Sequence, residues 1–507
     1  MAVLLLSTIL VSISVFFVYI WFSRQKAYRK REEIGLKGPE PHWILGSIYH
    51  FLKRKKEIGF DDGYVWYIEL HKKFGDRFGL FAGKDLIITL SNEEDIKEAF
   101  IKHFSNFSDR YVPCFIDKSC LSRSLFFSTY SNGWKQSRNA ISPIFSSGSM
   151  KAMFGIVEAK IEILLDILEE KSESGERFNI HKDFEALTLD VIAKCAFGID
   201  SDCQRDRLDE FLNQGKEFVD NIDYRKSWIT AAGMILQELK FLWKLLYPFT
   251  GMAKAEIPLV EGLYERYQRR VAGEKTANVD LLKLMIDRNF RKENTDQMIS
   301  EHDIVQNCFA VLLGGYDTSS TTLTYCSYLL ARHPTVQQKL FEEIEGVREE
   351  RGVCYDSILS MSYLDAVYKE SLRMYPPVFQ AIHRVCLKDI VIRDQFIPAG
   401  TAISVNPYTV HRSEENWENA NEFIPERFLD WNDKNSLKWI PFGVGPRICV
   451  GMRFAEMEIK TAIVKLVEKF DLSMDPSEPE LVPECDGVVM KPKDAVCVTL
   501  RRRRRKQ

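Results

Sequence analysis

The stretch Phe442-Gly443-Val444-Gly445-Pro446-Arg447-Ile448-Cys449-Val450-Gly451 places one cysteine in a tight, glycine-rich loop. The apolar periodicity that follows predicts a helix from Met452 to Lys469, directly after this loop. A thiol at a helix N-terminus faces unpaired backbone N–H groups and the positive end of the helix dipole. We therefore expect the pKa of Cys449 to be lowered and its thiolate to persist.

The other residues of this loop suit a large, flat ligand beside the sulfur. Gly445 and Gly451 allow close approach of the backbone, and Pro446 stiffens the turn. Arg447 can pair with an anionic group of the same ligand. A thiolate in this setting suits the axial ligand of a haem iron. An ordinary buried loop cysteine is the alternative, since free cysteine is among the most buried residue types. The complete spacing F-x-x-G-x-R-x-C-x-G favours the haem ligand.

Composition limits the other classes of function. The chain has 507 residues, of which 45% are hydrophobic and 28% charged, and this is the composition of a folded globular protein. Its formal net charge of −3 gives no reason to expect a nucleic-acid partner. The eleven cysteines are scattered, which argues against a structural zinc site and against a disulfide framework. A reducing compartment is the simpler expectation.

The N-terminus predicts a membrane anchor. Residues 1–22 contain an uncharged apolar run from Ala2 to Phe22, about 31 Å long as a helix and able to cross a bilayer. Basic residues follow this run and none precedes it, so the positive-inside rule places the remaining chain in the cytosol. A cleaved signal peptide is the alternative, but it would normally begin with basic residues. On the cytosolic side the sequon at Asn106 should stay unmodified.

The rest of the chain predicts one large, mainly α domain with a smaller β portion. Residues 23–47 form a basic, proline- and glycine-rich hinge, residues 48–500 the main domain, and residues 501–507 a basic tail. The tail is expected to be solvated, with binding to anionic lipid as the alternative. The predicted strands are Arg77–Phe81, Leu86–Leu90, Ile390–Ile392 and Ala402–Val405. Two helix starts are signalled, at Ser300 with Asp303 and at Ser362 with Asp365.

The helix that begins at Ser300 carries a possible proton-handling pair. Gly314-Gly315-Tyr316-Asp317-Thr318 lies midway along it, and each glycine costs about 1 kcal/mol relative to alanine in a helix. The glycines make room for a ligand or a close neighbour. Asp317 beside Thr318 suits proton delivery to an oxygen species in that space. Close helix packing at the glycines, with a solvated Asp317, is the alternative.

Two further spacings involve arginine. Glu370 and Arg373 lie three apart on one helical face, and Pro425-Glu426-Arg427-Phe428 follows later in the chain. We expect a buried network of Glu370, Arg373 and Arg427 that positions the cysteine loop, with an exposed surface pair as the alternative. Trp134 and Arg138 share another helical face and suit a carboxylate. A snorkelling arginine packed on tryptophan is the alternative there.

In chain order these motifs are W-x-x-x-R, G-G-x-D-T, E-x-x-R, P-E-R-F and F-x-x-G-x-R-x-C-x-G. The chain therefore resembles the cytochrome P-450 superfamily over its whole length, and within it the microsomal, membrane-anchored type. Around Tyr316–Ser320 and Arg384–Cys386 it most resembles the broad-specificity group that oxidises xenobiotics and steroids. The resemblance implies the P-450 fold (α+β) and a single-pass protein of the endoplasmic reticulum membrane with its catalytic domain in the cytosol.

The resemblance also implies a haem b cofactor and residue roles. Cys449 would be the metal ligand, while Asp317 and Thr318 would serve oxygen activation. The resemblance implies that seven residues bind the cofactor, namely Cys449, Arg447, Trp134, Arg138, Arg384, Phe442 and Gly443. We expect substrate contacts from the apolar segments 112–125, 211–249, 313–314 and 378–382. The individual candidates are Phe115, Leu313, Gly314 and Phe379, and Phe126 also suggests an apolar pocket. Plain core packing is the alternative for each phenylalanine.

The expected reaction is insertion of one oxygen atom of O2 into a lipophilic small molecule. The chain contains no flavin segment and no dinucleotide-binding motif, so the resemblance implies electrons from an NADPH-dependent flavoprotein reductase, with cytochrome b5 as a second candidate donor. Reductase docking is expected near Lys135, Lys438 and Arg453, with a merely solvated charge as the alternative for each. Residues 228–249 are apolar enough to dip into the membrane. A haem-thiolate isomerase or dehydratase and a haem-binding sensor or carrier are the rival functions.

Overall fold

The computed structural model describes residues 2–112, 116–206, 214–215, 217–218, 221, 228–274, 280–290, 299–380, 382–431, 436–486 and 488–503. Within these residues the chain is mainly helical, with smaller β-sheets. The predicted fold class is confirmed.

Most of the described chain is α-helical. The helices are α1 Ala2–Glu33, α2 Ile48–Ile58, α3 Gly63–Phe74, α4 Glu93–Lys97, α5 Trp134–Ile141, α6 Ser147–Ser174, α7 His181–Phe197, α8 Trp228–Ile235, α9 Lys240–Leu246, α10 Gly251–Val271, α11 Leu281–Phe290, α12 Glu301–Arg332, α13 Pro334–Arg351, α14 Tyr355–Leu359, α15 Ser362–Met374, α16 Pro407–His411 and α17 Met452–Lys469. The helix predicted after the cysteine loop is therefore confirmed as α17.

The strands form separate small sheets. They are β1 Arg77–Ala82, β2 Asp85–Leu90, β3 Phe178–Asn179, β4 Ile382–Val385, β5 Ile390–Ile392, β6 Gln395–Ile397, β7 Ala402–Val405, β8 Phe470–Ser473, β9 Pro483–Asp486, β10 Val489–Pro492 and β11 Cys497–Arg502. The largest sheet has the order β1-β2-β7-β4, with β2 and β7 parallel and the other pairs antiparallel. The predicted hairpin is β1–β2, and Gly83 in its turn has a φ of 60°.

Helix α12 organises the main core. Its N-terminus has the predicted capping box, because the Ser300 hydroxyl accepts from the Asp303 backbone N–H at 3.1 Å while the Asp303 carboxylate accepts from the Ser300 backbone N–H at 3.3 Å. It runs for 32 residues and packs against α7, α15 and α17, where most of its side chains are buried. At 1.5 Å per residue such a helix is about 48 Å long and crosses the whole domain.

The start of α15 differs from the prediction. The helix begins at Ser362, as expected, but Ser362 is its first residue and the preceding Met361 makes no side-chain cap. The Glu343 carboxylate of α13 instead accepts from the backbone N–H groups of Tyr363 and Leu364, at 2.8 and 2.9 Å. A carboxylate from another helix satisfies these donors and complements the helix dipole, and local sequence could not show it.

Helix α1 joins the apolar N-terminal segment directly to the domain. It is the one helix in the described part of the chain that is long and apolar enough to cross a bilayer. The helix continues through the basic residues to Glu33, and its last turns pack on the body of the protein. Arg24, Tyr28 and Arg31 are buried there, and the Tyr28 ring lies against Phe81 of β1 with centroids 4.6 Å apart.

Candidate functional site

A cavity of about 400 Å³ lies between α12 and the cysteine loop. Its upper walls are apolar, and its floor carries the cysteine and several arginines. The lining combines apolar side chains with the arginines, the cysteine and the polar residues of α12. It includes Arg110, Ile116, Leu121, Leu125, Phe126, Phe127, Trp134, Arg138, Leu313, Gly314, Asp317, Thr318, Ser319, Val378, Ile382, Arg384, Phe442, Gly443, Arg447 and Cys449.

The backbone of the cysteine loop is tightly fixed. The Cys449 backbone N–H donates to the Phe442 carbonyl at 2.9 Å and closes the loop. Gly445 has a φ of 68°, and a Cβ built there would lie 2.4 Å from the Phe100 carbonyl oxygen. Because of this clash and the left-handed backbone, only glycine fits at position 445 without displacing Phe100. The loop presents the Cys449 side chain to the cavity.

The pKa of the Cys449 thiol is shifted upward, whereas the sequence predicted a downward shift. The Cys449 side chain is open to the cavity, but enclosure by the surrounding protein raises the pKa of its thiol above the ordinary value. The backbone N–H groups of Gly451 and Met452, together with the Arg138 and Arg110 guanidinium groups, act in the lowering direction, but burial is the largest effect. The donors expected at the helix N-terminus are therefore present, yet they do not by themselves hold a thiolate. A bound metal cation deprotonates a coordinating thiol outright, which makes this sulfur suited to a cationic ligand.

Arginines surround the cavity floor. The Arg447 guanidinium lies 4.4 Å from the Trp134 ring centroid and donates to the Ser128 carbonyl at 2.7 Å. Arg138 donates to the Ile448 carbonyl at 2.8 Å, and Arg384 to the His383 carbonyl at 2.6 Å. None of Arg138, Arg384 and Arg447 forms an ion pair with a carboxylate of the described residues.

Among the described residues, neither Arg384 nor Arg447 has an ion-paired carboxylate, although the Asp109 charge acts on the pKa of Arg447 in the raising direction. Arg384 and Arg447 are 2% and 4% exposed, and each has buried N–H groups without a hydrogen-bond partner in the described chain. Burial, and then the neighbouring Arg110, lower the pKa of Arg447 to about 9. Buried cations are normally paired, so the cluster calls for an anionic ligand. The two propionates of haem b are such anions, and the residues present fit that group.

Arg110 belongs to the same cluster, although no local sequence pattern indicates it. It lines the cavity, and its guanidinium lies 4.1 Å from the Phe126 ring centroid. Burial lowers the pKa of Arg110 to about 10, partly opposed by Cys449. No motif marks this arginine, because its neighbours come from distant parts of the chain.

The two glycines of α12 serve different purposes. A Cβ on Gly315 would lie 2.9 Å from Ile192 of α7, so this glycine allows close helix packing. A Cβ on Gly314 would meet no atom within 4 Å, because Gly314 faces the cavity. The Thr318 hydroxyl donates to the Gly314 carbonyl at 2.6 Å and lies beside the same space. Both readings of the motif therefore apply, one to each glycine.

Asp317 is buried and paired. It is 2% exposed, and its Oδ1 atom lies 2.8 Å from the Lys491 ammonium group of β10. The Lys491 side chain is 17% exposed, so the pair extends from the cavity toward the surface. The alternative of a solvated Asp317 is wrong. Lys491 was missed, because it lies far from α12 in sequence and in a strand without a motif.

Glu370, Arg373 and Arg427 lie together. The Arg373 Nε atom lies 2.6 Å from Glu370 Oε2, and the Arg427 Nε atom lies 3.0 Å from Glu370 Oε1. The side chains of Glu370 and Arg373 are both 0% exposed. Arg373 also donates to the carbonyls of His411 and Ala420, at 2.8 and 2.7 Å. The network thus ties α15 to the segment that leads to the cysteine loop, and the alternative of an exposed surface pair is excluded.

The expected substrate contacts are only partly at the cavity. Leu313 and Gly314 line it, and Phe115 lies outside the described residues. Phe379 is 3% exposed and packs in a separate apolar cluster with Tyr64 and Tyr408. Phe379 therefore occupies a core position, which agrees with the alternative of plain core packing. Five further lining residues come from the predicted apolar segments, namely Ile116, Leu121 and Leu125 from residues 112–125 and Val378 and Ile382 from residues 378–382. The described residues of the predicted segment 211–249 are not part of the lining, and the lining residue Phe127 lies outside the predicted segments.

A mainly α fold with a cysteine loop and buried arginines beneath one long helix is the arrangement expected of a haem-thiolate enzyme. The family model for cytochrome P450 matches residues 36–498. The chain belongs to the cytochrome P450 family, and as such it is a monooxygenase that uses O2 and binds haem b through a cysteine thiolate.

Curated relatives agree with this assignment. The chain is 30% identical to cytochrome P450 3A12 of Canis lupus familiaris, over 96% of this chain and 95% of the relative. It is 32% identical to cytochrome P450 3A6 of Oryctolagus cuniculus, over 92% and 91% of the two chains. It is 31% identical to putative cytochrome P450 cyp-13B1 of Caenorhabditis elegans, over 93% and 94%. The family predicted from the motifs is confirmed.

Proposed function

We propose that this chain is a membrane-anchored monooxygenase of lipophilic small molecules that receives its electrons from NADPH through a flavoprotein reductase. The observation that carries the proposal is the cavity itself. Its floor holds a sulfur and the buried guanidinium groups of Arg384 and Arg447. Its walls are apolar, and one side of α12 presents Asp317 and Thr318 to it. A lipophilic substrate would lose little hydration energy and gain apolar contact there.

The haem would be held by residues from four segments. Cys449 would ligate the iron, and Arg110, Trp134, Arg138, Arg384 and Arg447 would surround the propionates. Phe442 and Gly443 line the same part of the cavity and would contact the ring. When bound, haem supplies the activation of O2 for insertion into a C–H bond or an olefin. The protein supplies orientation, exclusion of water and protons.

Asp317, Thr318 and Lys491 would handle protons. The Thr318 hydroxyl already donates to the Gly314 carbonyl, so its oxygen can accept a hydrogen bond from water while the hydroxyl group keeps one orientation. Lys491 holds Asp317 and is itself partly exposed, so its ammonium group gives this acid a route to bulk solvent. Because the route is short, a proton lost from the cavity side can be replaced from the surface.

The proposed function has a direct test. Purified protein reconstituted with haem b, NADPH-dependent flavoprotein reductase and lipid vesicles is incubated with a panel of steroids, fatty acids and drug-like lipophiles. We expect substrate-dependent NADPH oxidation and products that carry one oxygen atom from ¹⁸O-labelled O2. Reductase-independent rearrangement of a lipid peroxide, or haem binding without turnover, would contradict the proposal. Cytochrome b5 added to the same mixture tests the second donor.

Replacing Thr318 with alanine should uncouple the reaction. The variant loses the hydroxyl that orders proton transfer, so we expect product per NADPH oxidised to fall on the order of 10²-fold while substrate binding is kept. The measurement is product, NADPH and hydrogen peroxide in the same assay. Thr318→Ser is the matched control, because it retains the hydroxyl and should keep most of the coupling. Equal coupling in Thr318→Ala and wild type would remove Thr318 from the mechanism.

Reductase docking is proposed on the face around the cysteine loop. Lys135 and Arg453 are exposed there, and Lys438 is half-buried. Lys135 lies on α5 beside Arg138, and Arg453 lies in the first turn of α17, close to the cysteine loop. Positive charge at this surface favours an acidic donor protein through long-range attraction.

The contacts of α1 support an orientation at the membrane. Arg24 comes two residues after Phe22, about 3 Å farther along the helix. The Arg24 guanidinium donates to the Ile235 carbonyl at 2.6 Å, so in an anchored protein the end of α8 would lie at the level of the membrane surface. Three large apolar side chains are strongly exposed just beyond this point, namely Phe241 at 71%, Leu245 at 67% and Phe249 at 72%. Residues 228–249 would therefore dip into the bilayer of the endoplasmic reticulum, on its cytosolic side.

Deleting residues 2–22 should leave measurable binding to lipid vesicles. The exposed side chains of residues 228–249 would remain, and each buried apolar side chain contributes about 1.5–3 kcal/mol. Phe241→Asp with Phe249→Asp in the shortened protein should then abolish vesicle binding in a flotation assay. A shortened protein that shows no vesicle binding before these substitutions would contradict the insertion of residues 228–249 into the bilayer.

A further inference from the structure

Glu458 is a buried acid that the proposed mechanism does not yet use. It lies on α17, nine positions after Cys449, and is 0% exposed. Neither of its carboxylate oxygens has a hydrogen bond of good geometry within the described chain, and the polar group with which it interacts is the Ser319 hydroxyl of α12. Burying a carboxyl group without hydrogen-bond partners costs free energy of folding. Such a group in a folded protein therefore suggests a functional role.

The surroundings of Glu458 favour its neutral form. In the described part of the chain no cationic side chain is paired with it. Lys460, two residues on, is engaged with Asp365 and Glu456, each at 2.7 Å. The titratable group of α7 that faces Glu458 is the Cys195 thiol. Burial, and then the charge of Glu458, raise the pKa of this thiol. Burial raises the pKa of Glu458 to about 8, so the carboxyl carries a proton at neutral pH.

One hydroxyl separates Glu458 from the cavity. Ser319 lines the cavity directly after Asp317 and Thr318. The neighbours of Glu458 on α17, Ala455 and Ile459, line it as well. Glu458 therefore approaches the site from the α17 side, whereas Lys491 approaches Asp317 from β10.

We propose that Glu458 is a proton-holding positioning residue of this monooxygenase and acts on the cavity through Ser319. Its O–H bond breaks as the proton passes to the Ser319 oxygen, and the Ser319 proton passes in the same step to an acceptor in the cavity. One proton moves and no electron does. The carboxylate left behind regains a proton by the reverse path from cavity water, which the Lys491–Asp317 pair connects to the surface.

The proposal rests on the proposed function, and its first readout does not depend on turnover. Infrared spectra of wild-type holoenzyme and Glu458→Gln are compared at pH 6 and pH 10. We expect a carbonyl band of a protonated carboxyl in the wild type at pH 6, lost at pH 10 and lacking in Glu458→Gln. Glu456→Gln, on the same helix and partly exposed, should retain the band. A wild type without this band at pH 6 would overturn the proposal.

The second readout is the pH profile of coupling, defined as product formed per NADPH oxidised. At pH 6.5 we expect coupling about 3- to 10-fold higher in wild type than in Glu458→Gln. Because ionisation removes the stored proton, this ratio should fall toward one as the pH rises through about 8. Glu458→Asp should restore part of the wild-type profile, and Ser319→Ala should resemble Glu458→Gln. Glu456→Gln should match wild type.

The outcomes separate the two proposals. A ratio that stays at one at every pH, with the infrared band present, would make Glu458 structural and overturn its role. A protein that has the band but oxidises no lipophile with reductase and NADPH would refute the proposed function, and the role of Glu458 in that reaction would fall with it.

Discussion

Cys449→Ala is expected to abolish monooxygenase activity. The variant loses the sulfur that the cavity floor presents to the iron, and the surrounding arginines cannot replace it as a ligand. Mutation of the residues that hydrogen-bond a metal ligand typically lowers metal affinity or activity by about 10–100-fold. Loss of the ligand itself should therefore lower product formation by more than about 100-fold. The ferrous carbon monoxide difference spectrum should lose its thiolate signature at the same time.

Cys354→Ala is the matched control for this prediction. Cys354 is an exposed cysteine at the start of α14 and does not line the cavity. The variant should keep the thiolate spectrum and full activity. If Cys449→Ala retained full turnover or the thiolate signature, the assignment of the haem ligand and the function built on it would be wrong.

Glu370→Ala is expected to destabilise the whole domain. It leaves the Arg373 charge buried without its carboxylate, and Arg427 loses the same partner. Removing one member of a buried ion pair costs about 3–5 kcal/mol in the free energy of unfolding. We also expect faster loss of haem, because the network connects α15 to the segment before the cysteine loop. Denaturant unfolding followed by tryptophan fluorescence measures the first effect, and transfer of haem to a scavenger protein measures the second.

An exposed pair provides the comparison. Glu265 and Arg269 lie four apart on α10, and their side chains are 68% and 64% exposed. Solvent screens such a pair, so Glu265→Ala should leave the unfolding transition unchanged. A Glu370→Ala variant as stable as Glu265→Ala, with haem retained at the wild-type rate, would show that the buried network does not position the loop.

The cysteine loop and its following helix could be predicted because their signals are local. The spacing of Gly445, Arg447 and Cys449 reflects constraints within one turn, and the capping box at Ser300 reflects the geometry of one helix end. The β1–β2 hairpin is local in the same sense. Each of these features is set by residues within a few positions of one another, so the sequence alone carries it.

The sequence was less informative where distant segments meet. Phe379 is apolar and close in sequence to the lining residue Val378, yet it packs in a separate cluster. Ser362 resembles a helix cap, but Glu343 of another helix satisfies the donors. Arg110 has no motif at all, although it completes the arginine cluster beside Trp134 and Arg447. In each case the deciding partner lies far away along the chain.

The amino-acid sequence by itself determined the family, the apolar N-terminal helix, the long helix and the cysteine loop, because each depends on short-range spacing or on the length of an apolar run. Only the tertiary structure decided the charge state of the site. Burial raises the pKa of the Cys449 thiol against the helix N-terminal donors, Lys491 holds Asp317, and Glu458 is enclosed beside Ser319. Desolvation and long-range charge pairing depend on which groups surround an atom in space, and a linear pattern does not specify these.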